Sequence, residues 1–281
     1  MRAPNSLQLN LAGSREISSG YINGMNTPHP LFDLTHKRAL ITGSSQGIGL
    51  ALAQALASSG AHVIINGRDA AKCERVAAEF TARGEMATVR AFDVTDHAAT
   101  QANIDCIERD IGAIDILVNN TGIQIRNAFI EFPLGDFQRL MDTNVTSAFA
   151  VSQAVVRHML VRGRGKIINV CSVNSELGRA NIVPYVTTKG ALKMMTKSMC
   201  VELAKYGIQV NGLGPGYFDT ELTQALVQDA AFTAWLKQRT PAGRWGRVDE
   251  LKGAIIFLAA PASDFVNGHI LYVDGGMTAG V

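Results

Sequence analysis

Between Leu31 and Val281 the chain alternates short, almost wholly apolar runs with longer stretches of helical character. Seven runs read as strands: Arg38–Thr42, His62–Asn66, Thr88–Phe92, Ile114–Asn119, Lys166–Val170, Gln209–Leu213 and Ile270–Val273. Most carry apolar residues at consecutive positions, the pattern of a strand covered on both faces. Six stretches between them predict helices: Gly47–Ser59, Ala70–Arg83, Asp96–Asp110, Asp136–Arg162, Tyr185–Tyr206 and Asp249–Ala260. Strands and helices in such alternation predict one parallel sheet wrapped on both faces. No linker or shift in composition interrupts the pattern, so residues 31–281 read as a single domain. Residues 218–247 break the rhythm with a helical pair around Glu221–Val227 and Ala230–Gln238. An insertion at this place predicts a lid over a site at the sheet's C-terminal edge.

Met1–Pro30 shows neither helical nor strand periodicity and is rich in Ser, Asn, Gly and Pro. Such a segment buries too little surface to offset its ordering entropy, so it reads as a disordered extension. Met25 offers an alternative start, which would make Met1–Gly24 an upstream addition. The segment has neither the apolar core of a signal peptide nor the Arg-rich pattern of a transit peptide.

Composition narrows the function classes. Apolar residues make up 47% of the chain and charged residues 18%, with a net charge of only +2 and no basic block, which argues against a nucleic-acid partner. Cys73, Cys106, Cys171 and Cys200 are widely spaced, with no CxxC pair. They read as reduced packing residues, and no metal site is expected. No apolar run reaches the length of about 20 residues that spans a bilayer. A cytoplasmic protein with no membrane partner is the expectation.

The first strand runs into Thr42-Gly43-Ser44-Ser45-Gln46-Gly47-Ile48-Gly49 and then into a helix. Glycine at 43 permits a tight turn, at 47 a close backbone approach to a pyrophosphate, and at 49 close packing. The helix N-terminus then offers free N–H groups and a positive dipole end to phosphate. Strand, glycine turn and helix in that order predict a single Rossmann-type doubly wound domain, with a seven-stranded parallel sheet. Ser45, Gln46 and Ile48 belong to the same cofactor-binding turn. The second strand ends in Asn66-Gly67-Arg68-Asp69. An acid there would accept a ribose 2′-hydroxyl and mark NAD(H), whereas the Arg68 fork suits a 2′-phosphate. NADP(H) is therefore favoured and NAD(H) remains possible. A basic residue in place of Gln46 would have added a second phosphate contact. Asp69 is free to cap the next helix.

Tyr185-Val186-Thr187-Thr188-Lys189 opens a helix, and at i and i+4 the tyrosine and lysine share one face. A free tyrosine ionises near pH ~10, and a neighbouring ammonium with a positive nicotinamide ring lowers that value. Tyr185 then serves as general base for alcohol oxidation and general acid for ketone reduction. The YxxxK spacing is common by chance. It gains weight from Ser172, a hydroxyl at the end of the fifth strand, on the ligand-binding edge of an open sheet.

Thr42–Gly49, Asn119-Asn120-Thr121-Gly122, Asn144, Ser172, the YxxxK pair and Pro215-Gly216-Tyr217-Phe218-Asp219-Thr220, in this order, resemble the short-chain dehydrogenase/reductase family. The resemblance implies that Ser172 orients the substrate oxygen, Tyr185 exchanges the proton, and Lys189 holds the nicotinamide ribose. It implies that Asn144 fixes a relay water. Asp93 and Val94 would flank the adenine, Asn120 and Gly122 the adenosine side. Pro215, Gly216, Phe218 and Thr220 would meet the nicotinamide amide. Thr121 stands where the family usually has alanine. The resemblance also implies a homotetramer built partly on the long helices Asp136–Arg162 and Tyr185–Tyr206.

Less generic segments, among them Phe32-Asp33-Leu34, Asn66-Gly67-Arg68, Gly122-Ile123-Gln124, Arg157-His158-Met159, Cys171–Leu177 and Arg239–Gly246, are similar to the gluconate 5-dehydrogenases within that family. That branch interconverts D-gluconate and 5-dehydro-D-gluconate, commonly with NADP(H). A sugar-acid pocket needs a cation and polar donors. Arg126 and Arg179 are the cation candidates, and Asn174, Ser175 and Glu176 the candidates for reading hydroxyls. Polyol, sugar and 3-oxoacyl-carrier-protein reductases share most of the motifs and are the alternative. A non-catalytic cofactor sensor would have lost Ser, Tyr or Lys, and all three are present. A scaffolding role for the long helices is compatible with an enzyme.

Overall fold

The computed structural model describes residues 29–280; the extension read over Met1–Pro30 lies outside them up to residue 28, whereas its last two residues are ordered, Pro30 opening the 3-10 turn Pro30–Phe32 with His29 as its cap. The strands are β1 (Arg38–Ile41), β2 (His62–Ile65), β3 (Ala87–Val89), β4 (Ile116–Asn119), β5 (Gly165–Val170), β6 (Ile208–Pro215), β7 (Phe218–Asp219), β8 (Gly246–Arg247) and β9 (Ile270–Val273). Seven of them form one parallel sheet in the order β3-β2-β1-β4-β5-β6-β9, while β7 and β8 pair separately.

Consecutive apolar residues enter opposite cores because the side-chain period of a strand is two. Ile41, Ile65, Val118 and Ile168 face the layer of α1 (Gly47–Ser58), α2 (Ala70–Ala82) and α9 (Lys252–Ala259). Their neighbours Leu40, Ile64, Leu117 and Ile167 face α3 (His97–Cys106), α5 (Ser147–Arg162) and α6 (Val183–Leu203). Each of these side chains is fully buried, stabilising the fold by about 1.5–3 kcal/mol apiece. Between the layers runs a polar ladder, in which the Asn119 amide donates to Ser152 and Asn169, and the Asn169 amide donates to Thr196.

The strand order reverses between β1 and β4, and in an open sheet ligands bind at the C-terminal ends beside such a switch point. The Gly43–Gly49 turn and the Asn120–Gly122 loop lie there.

Tertiary contacts shift several sequence-predicted boundaries. The third strand pairs through Val89 and then leaves the sheet, because the Asn66 amide takes the carbonyls of Arg90 and Phe92. The fourth begins at Ile116, since Glu108 and Arg162 side chains bond the backbone of Ile114. The sixth runs on to Pro215, paired with Val273 of β9. The stretch read as one helix over Asp136–Arg162 is α4 (Leu134–Met141), a π-helical turn over Asp142–Thr146, and α5. A second π turn, Ile107–Ile111, ends the stretch begun by α3. The last predicted helix opens as a tight 3-10 turn, Val248–Leu251, before α9.

Candidate active site

One cleft of about 1100 Å³ runs across the C-terminal edge of the sheet, from Arg68 and Asp69 at one end to Tyr217 and Leu226 at the other. Every sequence-predicted site residue lines it except Asn144 and the hydroxyl-reading candidates Ser175 and Glu176.

Gly43 and Gly47 have φ of +63° and +56°, a left-handed conformation that costs glycine little. A Cβ on Gly47 would meet nothing and would project into open space, whereas one on Gly49 would collide with the Gly43 carbonyl and the Asn120 amide. Gly49 therefore packs the helix onto the turn itself rather than onto the strand. Asn120 completes the lock, its amide donating to the carbonyls of Thr42 and Gly43 at 3.0 Å.

The N-termini of α2, α3 and α8 (Ala230–Arg239) are capped by Asp69, Asp96 and Asp229. That of α1 carries Gln46 with no capping hydrogen bond, so its first-turn N–H groups face the cleft with their hydrogen bonds to offer. This uncapped terminus beside an open glycine fits a pyrophosphate. A dinucleotide held there would lie along Gly43, Ser45, Gly47 and Ile48. Its adenosine end would lie at Arg68, Asp93 and Val94. The Arg68 side chain is 80% exposed and stands 3.9 Å from Asp93, whose carboxylate is already bonded by Thr95. That bonding and the Arg68 charge outweigh burial and keep Asp93 below the ordinary carboxylate range.

In the middle of the cleft α6 presents Tyr185 and Lys189. The helix begins at Val183, earlier than its spacing suggested, with Pro184 in the first turn. The Lys189 ammonium donates to the Val170 carbonyl at 2.7 Å and lies 5.6 Å from the Tyr185 ring centre. Burial drives its pKa down to about 8. Burial also raises the Tyr185 hydroxyl, against opposing pulls from Ser172 and Arg126. In the protein alone, desolvation thus outweighs the lowering expected from a lysine neighbour.

Ser172 caps a 3-10 turn, Val173–Ser175, accepting the Asn174 N–H at 3.1 Å. Its oxygen serves the backbone while its O–H stays available to donate towards the cleft. Asn144 sits behind the cleft wall in the π turn. Its side chain accepts from Ile123 N at 2.8 Å and donates to Ile123 O and to Thr188. Both amide hydrogens are thereby spent on protein groups, and Asn144 clamps the loop after Gly122 onto α6. A π turn at this residue is not legible from a 3.6-residue period.

At the far end Arg126 and Arg179 both line the cleft. Burial, and then the charge of Arg179, push Arg126 below its ordinary value. Arg126 donates to Gln124, and Arg179 donates to the Tyr217 hydroxyl at 2.9 Å. Among the described residues no carboxylate pairs with either. Arg179 also lies over Phe232 at 4.5 Å, within an aromatic cluster that includes Tyr217, Trp235 and Trp245. Sequence reading missed this cluster, because its rings come from α8 and two separate loops. Of the residues proposed to read hydroxyls, Asn174 lines the cleft and Ser175 and Glu176 do not. Ser175 bonds the Lys189 backbone, and Glu176 pairs with Lys193 and Tyr272.

Other approaches legible only in three dimensions bring Lys72, Arg139 and Thr143 to the cleft wall. Pro215, Gly216, Phe218 and Thr220 line it where β6 gives way to the excursion. The paired β7 and β8 close the base of that excursion, which carries α7 (Gln224–Val227) and α8. No group of three or more His, Cys, Asp or Glu suited to a metal ion occurs among the described residues.

The short chain dehydrogenase family profile matches residues 37–231. Gluconate 5-dehydrogenase of Gluconobacter oxydans (strain 621H) is 55% identical over 251 residues, 89% of this chain and 98% of that protein. The 5-keto-D-gluconate 5-reductase of Escherichia coli (strain K12) is 54% identical, covering 89% of this chain and 99% of its own. A crystal structure of a gluconate 5-dehydrogenase from Burkholderia cenocepacia J2315, in complex with NADP and tartrate, superimposes with a TM-score of 0.88. It is 57% identical and covers 90% of this chain and 99% of that one. A sheet that reverses at the glycine turn, a cleft walled by Ser172, Tyr185 and Lys189, and relatives matched along nearly their whole length lead to one conclusion: the chain belongs to the short-chain dehydrogenase/reductase family.

Proposed function

We propose that the protein is an NADP(H)-dependent oxidoreductase interconverting D-gluconate and 5-dehydro-D-gluconate, with NAD(H) a weaker cosubstrate. The observation that carries the substrate reading is the pair Arg126 and Arg179, two cations beside the reacting groups with no carboxylate partner among the described residues. Like charges held together at a cleft wall are relieved by an anion, and a sugar acid brings a carboxylate suited to guanidinium forks. The names of the relatives agree, and the solved Burkholderia structure holds NADP with tartrate, itself a hydroxy acid.

In this reading a bound nicotinamide supplies or removes the hydride at the substrate carbon. Ser172 donates a hydrogen bond to the oxygen on that carbon. Tyr185 gives that oxygen a proton during reduction and takes one during oxidation. Lys189 is held by Val170 where its charge reaches the tyrosine and the ribose. Asn144 keeps the Ile123 loop against α6, with its remaining acceptor lone pair for a relay water. Asn174 supplies a polar edge for hydroxyls, and the excursion over residues 218–247 acts as the lid.

Leu134, Phe149, Met194 and Val201 expose 80%, 52%, 60% and 83% of their surface on α4, α5 and α6, which supports a homotetramer built on these helices. No helix among the described residues is long and apolar enough to cross a membrane, which is in keeping with a cytoplasmic site of action. The test is NADPH oxidation with 5-keto-gluconate, a neutral keto-sugar and a 3-oxoacyl thioester. The keto acid should be turned over with much the highest kcat/KM, and Arg126→Ala or Arg179→Ala should raise its KM while sparing the neutral ketone. Preference for the thioester or the neutral sugar would overturn the sugar-acid reading.

A further inference from the structure

The adenosine end of the cleft holds a second cation that no strand-end motif announces. Lys72 lies in the first turn of α2, four residues beyond Arg68, and half-buried against the cleft wall. Its ammonium donates a hydrogen bond to the side-chain oxygen of Gln46 in the glycine turn. Gly67 makes the approach feasible, since a Cβ there would press on Cys73 Sγ at 3.0 Å and Ser45 Oγ at 3.2 Å. The absence of that atom lets the glycine turn close on α2.

A lysine in the first turn of a helix opposes the positive end of the helix dipole. Asp69 does not offset it through an ion pair: its carboxylate accepts the Lys72 backbone N–H at 2.9 Å. Among the described residues the ammonium has no acidic partner. Its bond is to a neutral amide that lines the same wall as Ser45 and Arg68. Helix terminus, Lys72 and Arg68 together lack one thing, a compact anion between β2 and the glycine turn. The ribose 2′-phosphate is an anion of that kind, carried at the adenosine end of the dinucleotide.

We infer that Lys72 is a specificity-determining residue that contacts the 2′-phosphate of NADP(H), with Gln46 holding its side chain towards the cleft. Gln46 thus serves the phosphate by presenting a base from α2 rather than by being one. The inference rests on the reading of this cleft as an NADP(H) site.

The experiment titrates NADPH, NADH and adenosine 2′,5′-bisphosphate against the full chain and its Lys72→Met variant, which keeps the apolar stem and removes the charge. Lys72→Met should weaken NADPH and the bisphosphate about tenfold to a hundredfold and leave NADH within about twofold. Lys72→Arg should restore most of the loss. Unchanged NADPH affinity in Lys72→Met, or an equal loss for NADH, overturns the role of Lys72. A wild type that binds NADH as tightly as NADPH overturns the cofactor reading instead, and the two failures are told apart by the wild-type titration alone.

Discussion

The hydroxyl of Ser175 donates a 2.8 Å hydrogen bond to the backbone carbonyl of Lys189. The same oxygen accepts the Ser172 N–H at 3.3 Å, so one small side chain couples the loop bearing Ser172 to the helix bearing Tyr185 and Lys189. The groups proposed to act together in catalysis sit on two separate elements and need such a brace, because misplacement by about 1 Å costs rate. Ser175→Ala should lower kcat about three- to tenfold with little change in KM for either substrate. Steady-state kinetics at saturating cofactor check this. A mutant with wild-type kcat, or one that loses only KM, rules out the brace.

Tyr185→Phe removes the hydroxyl proposed to carry the proton and leaves the ring in place. Turnover should fall by at least about a thousandfold, while cofactor affinity stays within a few-fold. In wild type, burial raises the Tyr185 hydroxyl, so the ionised form that oxidation requires becomes more abundant as pH rises. Oxidation should therefore climb with pH, and reduction, which needs the protonated form, should be favoured nearer neutrality. Pre-steady-state rates in both directions test the pair of trends. Flat profiles with chemistry rate-limiting, or a Phe variant keeping a tenth of kcat, remove Tyr185 from the role.

Arg68→Ala should cost about 1.5–3 kcal/mol in NADP(H) binding, or about tenfold to a hundredfold, and leave NAD(H) nearly untouched. The guanidinium is mostly exposed and only loosely paired with Asp93, so little in the fold depends on it. Competitive titrations of the two cofactors decide the matter. Equal losses for both would point to a packing role, and no loss to none.

The folded protein holds Lys189 at about 8, below the ordinary lysine value of 10.5, so folding carries a cost for keeping it charged. That cost is full below the folded value and disappears as pH rises to the unfolded one, where the folded state has already released its proton. Wild type should therefore gain about 2 kcal/mol relative to Lys189→Met between pH about 7.5 and about 9.5. Urea unfolding of both proteins across that range measures the difference. A gap that stays constant with pH would show that the ammonium is not desolvated as described.

The local grammar of the chain determined a good deal by itself. Adjacent apolar pairs such as Leu40-Ile41 and Ile64-Ile65 specified a sheet buried on both faces, because a period of two must send them to opposite cores. Gly43 and Gly47 announced a glycine turn opening a helix, to which the structure added the left-handed φ values and the missing cap, and the i, i+4 spacing put Tyr185 and Lys189 on one face. These signals are short-range, set by neighbours within one turn or one strand. Tertiary structure decided the rest. Asn66 pulls the chain after Val89 out of the sheet by bonding carbonyls 24 and 26 residues away. Asn144 acquires Ile123 and Thr188 as partners 21 and 44 residues distant, from within a π turn that no regular period encodes. Arg179 finds Tyr217 across 38 residues, and Lys72 finds Gln46 across 26. Polar side chains of this kind bond whatever the packed sheet brings within about 3 Å, and that distance is set by the layers rather than by the residues alongside them in the chain.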